Sequence, residues 1–347
     1  MAWPLIKLMP EKTNFKFVRF AFFAAFLSIV AVTGSFVSMF TGGFRDNPIE
    51  VFQHAQGDPL ARLGAVMGRG FNLGIDFRGG TLLEITAPQS IDGGAIKHAL
   101  SGLNFGDVEV QGVSGRQADG LFHTMVQFQT PGNNPNAVIE SVKQHVQTVV
   151  PGVQFSRVEA VSGKVSEELF GNGLIALGLA ILLMLIYIAF RFEFQFGMGA
   201  VFALFHDTIL TLGLFSVLRL EFTLTIIAAL LTIIGYSMND TVVVFDRLRE
   251  NLKKYKRMSL ADVIDLSTNE TLSRTMITSL TALLSAIALW TVGGETLRGF
   301  AIAMTFGIVI GTYSSIYVAA PAILLWHSRR GRGPNQETAP AVVEGAR

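Results

Sequence analysis

The stretch IIGYSMNDTVVVFDR, residues 233–247, decides the fold class of this chain. It follows FTLTIIAALLT (222–232), which is apolar enough for the middle of a membrane, and then places Asn239 and Asp240 side by side. A carboxylate at the bilayer centre costs about 2.5 to 3.5 kcal/mol even on the lenient insertion scale. The sequence therefore predicts that Asp240 lies in a membrane helix and is protonated, paired or hydrated there.

The composition of the whole chain is typical of a membrane protein. Of its 347 residues, 50% are hydrophobic and 15% are charged, whereas soluble domains carry about 25% charged residues. A formal net charge of +1 provides no strongly basic surface, so we expect no nucleic-acid partner. Cysteine is absent and the six histidines are scattered, so we expect no metal site and no cofactor.

Six runs are apolar and about as long as the 20 residues that a spanning helix needs. They cover residues 17–40, 173–190, 197–218, 222–245, 275–292 and 300–326, and we call them spans one to six. The first follows several basic residues and lacks a small-residue cleavage site, so we interpret it as a span, with a signal peptide as the alternative. Six spans place both termini on the same side of the membrane.

Basic residues predict which side that is, because cytoplasmic loops carry an excess of lysine and arginine. They cluster after span four and after span six: Arg247, Arg249, Lys253, Lys254, Lys256, Arg257, Arg329, Arg330 and Arg332. We therefore expect residues 1–16, a basic loop at 246–272 and the tail 327–347 to be cytoplasmic. Spans two to six occupy 171–326, and residues 41–170 are expected on the opposite side.

Residues 41–170 show the patterns of a folded α+β domain instead of apolar runs. Alternating strands are predicted in GGTLLEIT, DVEVQGV, LFHTMVQFQT and GVQFSRVEAV, and helices in IDGGAIKHALSGL and PNAVIESVKQHVQTVV, with a turn at SGRQADG. The order β-α-β-β-α-β predicts a ferredoxin-like fold. Three histidines, His98, His123 and His145, fall on different elements, and we interpret them as surface residues.

Polar residues continue along one face of span four and one face of span five. The first stripe contains Thr232, Tyr236, Asn239 and Asp240, and the second contains Thr271, Arg274, Thr278, Thr281 and Ser285, at helical spacing. Arg274 reaches about the depth of Asp240, so we predict that the two interact across a helix interface. Span three adds Asp207, next to His206.

These ionisable groups predict a proton relay of Asp240, Arg274, Asp207 and Asn239, supported by Tyr236, Thr278 and Thr281. Each has a simpler alternative. Arg274 is an anchor that snorkels to the headgroups, Asp240 is half of a static ion pair, and Asp207 ties two helices by a hydrogen bond. Span six repeats small residues at Ala303, Gly307, Gly311, Ser315 and Ala319, which we interpret as a packing face. Pro321 is expected to kink its end.

Four segments resemble the signature segments of the SecF family of protein-export membrane subunits: GIDFRGG (74–80), GYSMNDTVVVFDR (235–247), NETLSRTMITSLTAL (269–283) and GTYSSIYVAAPAILL (311–325). The resemblance covers nearly the whole chain, in order. It implies an RND-like bundle in the bacterial inner membrane, with the α+β domain periplasmic. It also implies that the partners are SecD, the SecYEG channel, a translocating unfolded polypeptide and the lipid bilayer. In the family, protons pass through residues that match Asp240 and Arg274.

The function expected from the resemblance is proton-driven support of late steps in protein export, without enzymatic chemistry. We further expect TGGFRDNP (41–48) and SGKVSEELFGNG (162–173) to act as glycine hinges beside the α+β domain. Two alternatives stay open. A structural subunit would stabilise a translocon without conducting protons, and a small-molecule exporter of the RND superfamily would need a doubled set of spans.

Overall fold

The structure is a computed structural model that describes residues 13–44, 47–54, 62, 70–103, 108–112, 120–129 and 135–329. The N-terminal residues 1–12, most of the predicted SGRQADG turn and the tail from residue 330 lie outside this range. The described chain divides into two compact units. One contains Phe71–Gly178 and Glu221–Ile227, and the other contains most of the spans.

Within the described residues, six helices are long and apolar enough to cross a membrane, which confirms the predicted number of spans. They are Phe17–Phe40, Gly163–Arg191, Phe194–Leu218, Leu224–Lys254, Leu260–Val292 and Thr296–Leu324. Span six is built from a helix at Gly294–Ser314, a π-helix at Ser315–Ala319 and a helix at Ala320–Arg329.

Five of the six described membrane helices are longer than the predicted apolar runs, and one predicted hinge is wrong. Span two begins at Gly163, so SGKVSEELFGNG is almost entirely helical. Ser162 begins this helix, since its backbone oxygen accepts from Ser166 N at 3.0 Å and its hydroxyl from Val165 N at 3.4 Å. The predicted basic loop at 246–272 is also mostly helical. Span four continues to Lys254, and span five begins at Leu260, where the Ser259 hydroxyl accepts from Asp262 N.

The α+β domain has the predicted β-α-β-β-α-β order. Its strands are β2 (Gly80–Ala87), β3 (Glu109–Gly112), β4 (Phe122–Phe128) and β5 (Gln154–Val161), with helices at Gly93–Ser101 and Pro135–Val149. The sheet order is β3-β4-β2-β5, and every pair is antiparallel. This topology confirms the ferredoxin-like prediction.

One face of this sheet packs on both helices. Leu83, Ile85 and Val126 from the strands meet Ile96 and Val142 from the helices, and all five are fully buried. Asp92 caps the first helix by accepting from the backbone N–H groups of the second and third helical residues. Of the three histidines interpreted as surface residues, His98 is exposed, whereas His123 and His145 are partly buried.

Two further strands lie outside the four-stranded sheet. Asn72–Leu73 (β1) pairs in parallel with Glu221–Phe222 (β6), which lies between spans three and four. A short helix at Ile75–Arg78 follows β1, and another occupies Pro48–His54. The connection between spans three and four therefore joins the compact unit that holds the α+β domain.

The small residues of span six form a packing face, as the sequence predicts. A side chain at Gly307 would collide with Ile233 of span four, and a Cβ at Gly311 would lie 3.0 Å from the Cβ of Ser237. Pro321 is the second residue after the π-helix. Such a single π-turn is a common place for a helix to accommodate a proline, which cannot donate a backbone hydrogen bond.

Candidate functional site

Asp240 is buried in the bundle, with 2% of its surface exposed. Its Oδ2 atom accepts no hydrogen bond from the described residues, although the atom is fully covered. The carboxylate is close enough to span five to interact with the Thr278 hydroxyl and, electrostatically, with the Arg274 guanidinium. A buried carboxylate oxygen without a donor is costly, so this group is the clearest functional candidate in the bundle.

Arg274 forms no hydrogen bond with Asp240. The Arg274 residue is exposed in this chain, and Asp240 interacts with its charge at a distance instead of through a hydrogen bond. The predicted proximity is therefore present, but the contact of a static ion pair is not. Asn239, beside Asp240 in the sequence, is exposed as well.

The hydroxyl groups on the polar faces of spans four and five form separate short contacts and not one continuous chain of hydrogen bonds. The Tyr236 hydroxyl donates to Ser279 Oγ at 3.2 Å, and Ser279 Oγ lies 2.7 Å from Thr312 Oγ1 of span six. In contrast, Thr278 and Thr281 donate to carbonyl oxygens of their own helix. Tyr236 is nevertheless near enough to Asp240 to feel its charge.

Asp207 lies at the centre of a second, fully satisfied polar cluster. Its Oδ1 atom accepts from His206 Nδ1 at 2.8 Å, and its Oδ2 atom accepts from the hydroxyls of Ser237 and, at 2.7 Å, Ser314. The carboxylate thus joins span three to spans four and six. This geometry matches the simpler alternative for Asp207, in which its carboxylate links helices by hydrogen bonds, except that it links three spans and not two.

The cluster extends through His206 to span one. His206 Nε2 is hydrogen-bonded to Ser28 Oγ at 3.2 Å, and Ser28 Oγ lies 3.0 Å from the Tyr313 hydroxyl. Ser237, Ser314, Ser28 and Tyr313 were not predicted as site residues. Ser237 and Ser314 lie inside the signature segments, and this position is the one signal in the sequence that pointed to these two serines.

Ion pairs and amide contacts join the helix ends around residues 246–270. The Arg191 guanidinium binds both carboxylate oxygens of Asp246, which joins span two to span four. Arg247 Nε donates to Glu270 Oε2 at 2.7 Å, and Asn251 Nδ2 donates to the same oxygen at 2.6 Å. The charged end of the segment 233–247 therefore joins span four to spans two and five.

The same end of span five holds the segment that precedes span one. Asn269 accepts from Phe15 N at 2.9 Å and donates to Phe15 O at 2.8 Å. Asp265 Oδ1 accepts from Val18 N, one of the N–H groups that the first turn of a helix leaves without a partner. Among the described residues, no group of His, Asp and Glu side chains is arranged to hold a metal ion.

Comparison with known proteins decides the family. Residues 141–329 match the family described as protein export membrane protein SecD/SecF, C-terminal, and residues 64–89 match the SecD/SecF GG motif. Protein translocase subunit SecF of Cereibacter sphaeroides is 43% identical over 338 residues, which are 96% of this chain and 95% of that protein. The chain belongs to the SecF family.

Other SecF proteins match over similar lengths. Those of Rhodobacter capsulatus and Rickettsia akari are 41% and 36% identical to it, over 92% and 94% of this chain and 91% and 96% of their own. Membership makes the chain an accessory subunit of the Sec protein translocase, and its six candidate spans make it a multi-pass membrane protein.

Two solved SecDF structures resemble this SecF-family fold. SecDF in its super-membrane-facing form is 31% identical with a TM-score of 0.56, covering 94% of this chain and 40% of that one. SecDF from Thermus thermophilus, a translocon-associated membrane protein, is 27% identical with a TM-score of 0.67, covering 90% and 50%. This chain therefore spans half or less of those longer chains.

The GG motif of this SecF-family chain needs its glycines for geometric reasons. Gly79 and Gly80 have φ angles of +70° and +113°, which L side chains rarely adopt. A Cβ on Gly74 would lie 2.7 Å from Glu221 Oε1 and 2.8 Å from Thr223 Cγ2. The motif brings β1 against β6 and then turns into β2. Arg78, within it, pairs with Glu109 at 3.0 Å.

Proposed function

We propose that this SecF-family subunit acts with SecD to use the proton gradient in late steps of protein export across the bacterial inner membrane. The observation that carries the proposal is Asp240, a buried carboxylate with an oxygen that lacks a donor, facing Arg274 and Thr278 of span five. A site of this kind can take up a proton and release it, because its present surroundings do not fully satisfy the charged form.

In this mechanism Asp240 carries the proton and Arg274 controls its release. Arg274 is close enough to act on the carboxylate electrostatically but is not bound to it. A small shift of span four against span five changes their separation, and therefore the proton affinity of Asp240. One charge crossing a potential of 100 mV releases about 2.3 kcal/mol, which is the energy available to drive the shift.

The other predicted residues have supporting roles in the proposal. Asn239 and Tyr236 flank Asp240 on span four, and Thr278 and Thr281 continue the polar face of span five. Asp207 is a second acid, held in a separate cluster by three donors. We assign it to the relay as the group that couples Ser237 of span four to spans three and six.

Exposed polar groups support SecD as the partner. Asn239, Arg274, Thr281 and Ser285 are exposed on the spans of this chain, and polar groups that face hydrocarbon are costly. A second helical bundle would cover them. The solved SecDF chains are about twice as long as the part that this chain covers, which leaves room in them for such a bundle.

The remaining assignments follow the basic residues and the family. Residues 1–16, the basic segment 246–272 and the tail 327–347 are cytoplasmic, and the α+β domain of residues 41–170 is periplasmic. There the domain meets an unfolded polypeptide as it leaves the SecYEG channel. The subunit moves protons and chains and makes or breaks no covalent bond. Single introduced cysteines, probed with an impermeant thiol reagent, test the orientation.

Export into inverted membrane vesicles, with and without a proton gradient, tests the mechanism. Asp240→Asn keeps the size of the side chain but cannot exchange a proton at neutral pH, so it should abolish gradient-dependent stimulation and leave ATP-driven export intact. Asp246→Asn is the matched control, because it is the same change on the same helix in an ion pair with Arg191. It should retain the stimulation.

The same assay separates the alternatives. If Asp240→Asn vesicles with an intact complex keep full stimulation, the carboxylate is structural and the proton mechanism is wrong. That result would favour a subunit that stabilises the translocon without conducting protons. An RND small-molecule exporter is disfavoured by the single set of six spans in the described residues.

A further inference from the structure

The GG motif meets the start of span four through backbone pairing. In the parallel β1–β6 pair, Asn72 lies opposite Glu221 and Leu73 opposite Phe222. The next backbone N–H, that of Gly74, donates to Phe222 O at 3.0 Å and lengthens the contact. Two residues beyond the pair, at Leu224, span four begins.

Asp76 of the motif caps that helix from far away in the sequence. Its Oδ2 atom accepts from Leu224 N at 2.9 Å, although the two residues are 148 positions apart. A carboxylate at this position satisfies a free N–H group and faces the positive end of the helix dipole. The residue that usually provides the cap, Thr223, has its hydroxyl 2.7 Å from Thr225 Oγ1.

Aromatic side chains pack behind this contact. The ring centroid of Phe77 lies 5.9 Å from that of Phe222 and 5.4 Å from that of Phe170, which belongs to the first turns of span two. The ring centroid of Phe71 lies 5.1 Å from that of Phe222. All of these residues belong to the compact unit that contains the α+β domain.

We propose that Asp76 is a positioning residue that fastens the start of span four to the α+β domain. Span four is one continuous helix from Leu224 to Lys254, and Asp240 lies 16 residues, or about 24 Å, from the capped end. A shift of span four at Asp240 therefore displaces the GG motif and the sheet attached to it. This inference rests on the proposed role of Asp240 and identifies how its movement reaches the domain.

The paths along the chain into this compact unit favour such a rigid link. The predicted hinge before span two is helical from Gly163, so that path is stiff. The path after span one includes Gly42, Gly43 and Phe44, all with positive φ angles, and is a turn instead of a helix. A movement of span four is consequently transmitted through Asp76 and β1 more directly than through the turn.

Three variants in the complete translocase test the assignment. Asp76→Ala removes the cap, Asp76→Asn keeps an oxygen that can accept from Leu224 N, and Asp92→Ala removes the unrelated cap of the Gly93–Ser101 helix. Hydrogen exchange at Leu224–Ile227 should be about fivefold faster in Asp76→Ala, the usual effect of losing a cap. It should be unchanged in Asp92→Ala.

Gradient-stimulated export and proton uptake by the vesicles then report on coupling. We expect Asp76→Ala to take up protons while losing most of the stimulation, and both Asp76→Asn and Asp92→Ala to retain the stimulation. A fold that has simply failed would lose proton uptake too, so the combination is specific to a broken link. Full stimulation in Asp76→Ala vesicles would overturn the inference.

A disulfide provides a rescue. The chain has no cysteine, and Asn72 and Glu221 are neighbours across the β1–β6 pair, so cysteines there can be joined. Added to Asp76→Ala, the oxidised disulfide should restore stimulation, and reduction should remove it. No difference between the oxidised and reduced forms would contradict the inference. Failure of the proposed proton mechanism is distinguishable, because it appears in Asp240→Asn and leaves the exchange measurement unaffected.

Discussion

Replacing Ser314 by alanine measures how strongly the Asp207 cluster holds the bundle together. Ser314 is fully buried and donates to Asp207 Oδ2 at 2.7 Å. A hydrogen bond to a charged group contributes about 1.5 to 3 kcal/mol. Because the carboxylate is itself buried, water cannot replace the missing donor, and we expect the upper half of that range.

The adjacent serine is a matched control. Ser315 is equally buried, but its hydroxyl donates to Thr312 O of its own helix at 3.0 Å. That carbonyl is neutral, so Ser315→Ala should cost about 0.5 to 1 kcal/mol. Ser237→Ala should resemble Ser314→Ala, since both serines donate to the same oxygen. The double variant should cost more than the sum, because it leaves that oxygen with neither hydroxyl.

The free energy of unfolding in detergent or bicelles is the quantity to measure, for the isolated subunit. Circular dichroism should first show that each variant keeps its helical content. Equal losses for Ser314→Ala and Ser315→Ala would mean that the carboxylate adds nothing beyond an ordinary helix contact. The Asp207 cluster would then not be what holds spans three, four and six together.

Three more predictions concern other sites. Burial and the nearby carboxylates of Asp76 and Glu109 raise the pKa of Glu221 from 4.5 to about 6. The ionised form of Glu221 is disfavoured in the folded state, so the stability of the protein falls as the pH rises through this window. Glu221→Gln should therefore raise the free energy of unfolding by up to about 2 kcal/mol at pH 7.5 and leave it unchanged at pH 4, measured by thermal unfolding. Gly307→Ala should lower the melting temperature of the subunit by several degrees, whereas Gly235→Ala, where a Cβ meets no atom within 4 Å, should leave it nearly unchanged. Asn269→Ala removes both hydrogen bonds to Phe15 and should speed amide exchange there about tenfold without changing exchange in the α+β domain.

The sequence was sufficient for the α+β domain because its signals are local. Alternation in GGTLLEIT and LFHTMVQFQT predicts β2 and β4 to within two residues, and the order of the elements then leaves few topologies. The spans were found for the same reason, from long apolar runs. Span one was predicted with its observed bounds, but the other five were predicted too short, because those helices continue into polar residues such as those of SGKVSEELFGNG, where hydropathy gives no signal.

The site was predicted only in part, because its contacts depend on how distant helices meet. Matching depth placed Asp240 near Arg274, but it does not say whether the side chains touch, and they do not bind each other. A serine in a helix usually bonds its own backbone, as Ser315 does. Nothing in the local sequence distinguishes it from Ser314, whose hydroxyl lies 3.2 Å from Gly311 O of its own helix but also reaches a carboxylate, at 2.7 Å. The cap from Asp76 to Leu224 is equally invisible, because it joins residues 148 positions apart.

The attachment of span one has a consequence for the order in which the subunit is assembled during synthesis. One end of this helix is held by Ser38, which donates to Ser216 across 178 residues, and the other by Asn269, across 254 residues from Phe15. At about 5 to 20 residues per second, the ribosome needs roughly 13 to 50 s to make the second interval. The N-terminal end of span one therefore lacks its contacts with Asp265 and Asn269 until the start of span five has been synthesised. A nascent chain stopped before residue 260 lacks Asp265 and Asn269 and cannot complete this docking, however stable its first four spans are.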